Sequence, residues 1–190
     1  MLGYFKGLHA RATAKYNRYK KNDEGVAAVE FAIVSIPFFM LVFGIIELAI
    51  IFFINSTMSH AVSEAGRLIR VGSFQSCGGA DKFKETVCDL MDNMAGCMQN
   101  LRVDVISQPT FEAISMPDPT EPDGNPPPPG TYNNTNASDP VVVRALFYYK
   151  LALPSTFTRL ESSAGTGVRI LGSTTAFRNE PFPAPGACPL

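Results

Sequence analysis

From Val26 to Ile54 the chain reads VAAVEFAIVSIPFFMLVFGIIELAIIFFI, and Glu30 and Glu47 are its only formally charged residues. At about 1.5 Å per residue, a helix over this run is long enough to cross a hydrocarbon core of about 30 Å. A cleaved secretory signal is the alternative, but its apolar region is usually about 7–15 residues and ends in a small-x-small site. This run is longer and no such site follows Ile54, so the segment reads as a retained transmembrane helix over residues 26–54. Pro37 removes one helical hydrogen bond and is expected to bend or loosen the helix locally, and Gly44 is a second weak point. Membrane helices tolerate both.

The flanks set the orientation. Lys6, Arg11, Lys15, Arg18, Lys20 and Lys21 precede the run, against Asp23 and Glu24, while only Arg67 and Arg70 follow it closely. Positive residues stay inside, which puts the N-terminus in the cytoplasm and residues 55–190 outside. All of Cys77, Cys88, Cys97 and Cys188 lie on the far side of the run, where an oxidising space such as a periplasm favours disulfides over buried free thiols. The net charge of -1 in 190 residues carries no global field toward nucleic acid.

At the junction, Lys20-Lys21-Asn22-Asp23-Glu24-Gly25 meets Val26-Ala27-Ala28-Val29-Glu30-Phe31. A carboxylate so early in a membrane helix is unfavourable without a partner. Cutting after Gly25 would make one: the new amine on Val26 lies one helical turn from Glu30, or it reaches Glu30 of a neighbouring subunit. The bland alternative is a loop glycine followed by a polar residue at the membrane interface.

The order of basic leader, Gly25-Val26-Ala27-Ala28-Val29-Glu30-Phe31, apolar helix and Gly44-Ile45-Ile46-Glu47 resembles prepilins, and the TadE-like family in particular. The ending Arg178-Asn179-Glu180-Pro181-Phe182 is also similar to that family's usual tail. The resemblance implies a pilin-like fold and removal of leader residues 1–25, by cleavage between Gly25 and Val26, by a membrane prepilin peptidase of aspartyl type. It further implies a minor pilin or pseudopilin role in assembling a Tad/Flp pilus, with sibling minor pilins, the major Flp pilin and an inner-membrane assembly platform as partners. Val26 departs from the Phe or Met at the mature start of other pilins, which removes the usual ground for N-methylation. Phe31 replaces the Tyr of major Flp pilins, and the outer domain is far longer than theirs; both favour the TadE branch. Glu30, Phe31 and Glu47 are the candidate assembly residues, with solvation at the outer interface as the other reading of Glu47.

Beyond the membrane the helix is expected to continue over residues 55–72, because Met58, Ala61, Val62, Ala65, Leu68 and Ile69 keep helical spacing, with Gly72 as a stop. A second amphipathic helix is expected over Asp81–Met94, with Asp81 as N-cap and Phe83, Val87, Leu90, Met91 and Met94 as its apolar face. Strand signals follow at Leu101, Val103 and Val105, at Val141–Leu151 and at Val168–Phe177, the last two joined through the flexible stretch 162–167. Between the first two strands, the Pro-rich segment 117–140 reads as an exposed, partly extended loop, better taken as a solvated linker than as a binding element. The fold class is therefore α+β: a long N-terminal helix running into an outer domain, residues 73–190, with a second helix and an antiparallel sheet. Three disulfide connectivities are open. A Cys88–Cys97 bridge requires the second helix to end near Ala95 or Gly96, and Cys77 would then pair with Cys188.

No phosphate loop, dinucleotide fingerprint, H-E-x-x-H or G-x-S-x-G occurs. His9 lies in the leader and His60 near the membrane, so neither is placed for a triad. No cofactor, metal set or catalytic group is expected, and the chain reads as structural. The competing function is a membrane-tethered binding or adhesin module whose Pro-rich loop recognises a partner.

Overall fold

The computed structural model describes residues 24–74, 79–119 and 127–182. Helix α1 (Glu24–Arg70) is followed by α2 (Ala80–Leu90), a 3₁₀ turn (Met94–Gly96), α3 (Cys97–Asn100) and strand β1 (Leu101–Ser107). A second 3₁₀ turn (Phe111–Ala113), β2 (Pro140–Lys150), α4 (Ser155–Thr158) and β3 (Val168–Arg178) complete the order. The three strands form one antiparallel sheet in the order β1-β2-β3. The architecture is α+β with a long N-terminal helix.

The chain divides into two units at Ile45 and Ile46. Up to Ile45, the first unit's described part is helix with exposed apolar side chains, Phe31, Ile33, Val34 and Leu41 among them. The helix is uninterrupted at Pro37. One long apolar helix near the N-terminus fits a membrane anchor.

In the second unit, α1 carries a buried stripe of Glu47, Ile51, Ile54, Met58, Ala61, Val62, Ala65 and Ile69. Steps of three and four residues keep these on one face. They join Phe83, Val87 and Cys88 of α2, Met91 just past its end, and one face of the sheet, where Leu101 pairs with Phe147, Val103 with Ala145 and Val105 with Val143. Each fully buried aliphatic or Phe side chain contributes about 1.5–3 kcal/mol. Ala61, Ala65 and Gly66 keep α1 close to the sheet: a Cβ on Gly66 would stand 3.1 Å from the Phe177 ring and 3.2 Å from the Thr175 methyl of β3.

Helix α1 stops through backbone bonds. The Ser73 N–H donates to the Leu68 carbonyl and the Gly72 N–H to that of Ile69, with Gly72 at φ +84°. This is a Schellman closure, and the left-handed residue is the glycine that suits it. The same closure ends α2 earlier than Met94: Asn93 donates to Cys88 and Asp92 to Asp89, with Asp92 at φ 52°. Asp and Asn tolerate this conformation better than most residues. Two further expectations for this helix are corrected. The N-cap is Gly79, with Asp81 in the first turn, and Leu90 is exposed while Cys88 takes its place in the core.

The Pro-rich segment is less free than expected at its described ends. Val105 N–H donates to the Thr131 carbonyl and Asn133 N–H to that of Val105, so this stretch lies along the outer edge of β1. Covering an exposed strand edge removes a site for unwanted pairing.

Candidate functional site

Gly25, Val26, Glu30 and Phe31 all lie on α1, which already begins at Glu24. A Cβ on Gly25 would meet nothing within 4 Å. Val26 and Glu30 are one turn apart, so helix geometry places an amine formed at Val26 beside the Glu30 carboxylate. Phe31 and Val26 are exposed, as is Glu30, which has no hydrogen bond or ion pair among the described residues. A carboxylate in that state within an apolar helix requires a partner once water is removed.

Glu47 sits in a different environment. It is 3% exposed. Its Oε1 accepts hydrogen bonds from the Ala152 N–H at 2.5 Å and the Leu153 N–H at 3.3 Å, both just past the end of β2. Its Oε2 is buried and lacks a hydrogen-bond partner among the described residues. Burial first, and then the Glu47 carboxylate, raises the pKa of the Tyr149 hydroxyl. Glu47 therefore docks the β2–β3 connection onto α1 within one chain. Neither interface solvation nor subunit contact anticipates this bond, because both readings took the helix by itself.

At its other end α1 is held by the tail. Glu180 N–H donates to the Arg70 carbonyl at 2.9 Å, and the two side chains form an exposed ion pair. Asn179 is buried, with Nδ2 donating to Thr135 Oγ1 and to the Asn136 carbonyl. A Cβ on Gly72 would stand 2.7 Å from the Phe182 ring. The residues Arg178–Phe182 thus cap the helix and fasten the loop leading into β2.

Buried Arg102 and Asp104 and half-buried Arg144 form an ion cluster. Asp104 faces Arg144 across the sheet. Its carboxylate accepts from Arg144 Nη2 at 2.7 Å, from both Nε and Nη2 of Arg102 at 3.2 Å, and from the Thr131 N–H at 2.9 Å. Arg144 also donates to the Pro117 carbonyl. The cluster thus holds the Pro-rich segment at two points, Pro117 and Thr131. Burial alone would raise the Asp104 pKa, but hydrogen bonds from Arg144 and Thr131 and the Arg102 charge hold it below its usual value.

Cys88 and Cys97 form a disulfide with Cα atoms 5.6 Å apart. Left-handed Ala95 and Gly96 turn the chain back toward α2 and permit it. The pairing of Cys77 with Cys188 lies outside the described residues.

The long apolar helix, with its exposed stretch and early glutamate, is consistent with a membrane anchor. Residues 25–67 match the family model of TadE-like proteins. No curated protein and no solved structure matches. The matched segment holds Gly25, Val26, Glu30, Phe31 and Glu47, and ends just short of the Schellman closure at Gly72.

Proposed function

We propose that this protein is a minor pilin or pseudopilin of a Tad/Flp pilus, held in the bacterial inner membrane by α1 with residues 55–190 in the periplasm. A prepilin peptidase removes residues 1–25. The freed Val26 amine neutralises Glu30 of the same or a neighbouring subunit, and the exposed apolar stretch ending near Ile45 packs against sibling pilins or lipid. The assembly platform and the major Flp pilin are the partners this role requires. The observation that carries the reading is the TadE-like match over residues 25–67, on a helix whose apolar side chains and Glu30 are exposed as far as Ile45.

The test is the intact mass of the protein purified from its native host. A start at Val26 supports the reading, and a start at Met1 removes it in favour of a tethered binding module. In a processed protein, Glu30→Ala is expected to be cut normally yet to leave pilus assembly defective. Normal piliation would sink the amine–carboxylate pairing.

A further inference from the structure

We infer that the β2–β3 connection is a membrane-contact element, in which Phe157 enters the outer leaflet beside α1 while Lys150, Arg159 and Arg169 hold anionic lipid phosphates. This rests on the anchoring part of the reading above, and it concerns a segment that the TadE-like match does not cover.

Depth along the helix is the first argument. The apolar run from Val26 to Ile54 is longer than the about twenty helical residues that cross the hydrocarbon core, so counted from Val26 its outer part, Glu47 to Ile54, falls at the lipid interface. The Ala152 and Leu153 amides are bonded to that carboxylate, so the connection starts at the level where the helix leaves the hydrocarbon. The sheet's ends fall accordingly. The end formed by Lys150 and Val168 lies at Glu47, while the end formed by Pro140 and Arg178 lies at Arg70.

Composition is the second argument. From Leu151 to Leu160 the chain reads LALPSTFTRL, with Arg159 as its only charge. Phe157 on α4 is 60% exposed, and Phe52 and Phe53 of α1, between one and two turns beyond Glu47, are also exposed. Single exposed apolar residues are ordinary, but here they continue an apolar membrane helix. Arg159 on the connection, and Lys150 and Arg169 on the strand ends that flank it, are exposed, with Glu161 as the acidic residue among them. An open hollow of about 580 Å³ runs beside Arg159 and Glu161. Apolar side chains at the acyl boundary with cations at the phosphates are the pattern of an interfacial anchor.

The absence of tryptophan supplies the probe. Full-length Phe157→Trp is reconstituted into vesicles of phosphatidylcholine, or of phosphatidylcholine with phosphatidylglycerol, containing lipid brominated on its acyl chains. Phe111→Trp is the control, since Phe111 is similarly exposed but follows β1 at the sheet's other end. Quenching several-fold greater in Phe157→Trp than in Phe111→Trp is expected. It should strengthen with phosphatidylglycerol and weaken as salt is raised. Equal quenching in the two variants overturns the proposal, and quenching insensitive to both lipid charge and salt removes the role of the three cations. An unquenched, blue-shifted Phe157→Trp protected from acrylamide assigns the loop to a second copy of the chain, which also overturns it. Flotation with the vesicles separates the two readings: protein that floats without quenching rejects this inference alone, and protein that does not float rejects the anchor and this inference with it.

Discussion

Glu30 and Glu47 belong to one helix and one apolar run, yet they are treated in opposite ways. Glu30 is exposed among exposed apolar side chains, whereas Glu47 is buried and bonded to the backbone of its own domain. The same contrast holds for their neighbours. Phe31 and Val34 are exposed, while Ile54 and Met58 lie under the sheet. Hydropathy cannot separate the two stretches, because both are apolar. What separates them is whether the described part of this chain supplies a covering surface. Up to Ile45 the described residues supply little; from Glu47 onward they bury one face of the helix.

The largest test of that difference lies in the covering domain. Asp104→Ala leaves buried Arg102 and half-buried Arg144 without their carboxylate, and breaking such a cluster is expected to destabilise the domain by about 3–5 kcal/mol. The check is denaturant unfolding of the full chain in detergent. The pH sign follows from the lowered Asp104 pKa. Its stabilisation is complete above the ordinary value of 3.8 and is lost as pH falls through the lower folded-state value. Asp104→Asn should flatten that acid limb, and an unchanged acid limb would exclude Asp104 as its cause.

Next in size is the direct comparison of the two stretches. Met58→Ala opens a cavity beneath the sheet and should cost about 2–5 kcal/mol. Ile33→Ala, with its side chain exposed, should leave the domain's unfolding midpoint unchanged. Equal losses would mean that the first stretch is also covered by its own chain.

That prediction also marks how far the sequence could be read. The long helix, the stop at Gly72 and the β-branched runs behind the three strands were legible because each depends on local spacing or local φ. The fates of Arg102, Asp104 and Glu47 were not, because each depends on a segment distant in sequence. Asp104 is enclosed by Arg144 on the neighbouring strand and by the returning Thr131, and the alternation that marks β1 carries no sign of either. The end of α2 was misplaced because Met91 and Met94 extend the apolar period, whereas the backbone closure uses left-handed Asp92, where glycine is the more familiar signal. The tail was recognisable as a motif, but its role as a clamp on Arg70 depends on the packed domain.

The two glutamates provide a smaller and sharper test. Glu47→Ala removes the acceptor for Ala152 and Leu153 and should lower stability by about 1–3 kcal/mol. Glu47→Gln keeps an oxygen in place and should recover most of that loss. Glu30→Ala should leave stability unaltered while impairing assembly. If both alanine variants lower stability alike, or both spare it, the contrast between intrachain and interchain roles fails.

The smallest expected effect is at the helix end, where two constraints fall on one residue. Gly72→Ala must hold a side chain at φ +84° and also displace the Phe182 ring. The left-handed conformation alone disfavours alanine by about 1–2 kcal/mol. The ring contact is relieved only by shifting the tail that bonds Arg70. Phe182→Ala in the Gly72→Ala background separates the terms by a double-mutant cycle of unfolding free energies. Coupling between the two substitutions shows that the tail contributes to the closure, as the Glu180 bond to Arg70 requires. Strict additivity would leave Gly72 as a backbone requirement only, and would remove the tail from the set of contacts that distinguish the covered stretch of α1 from the exposed one.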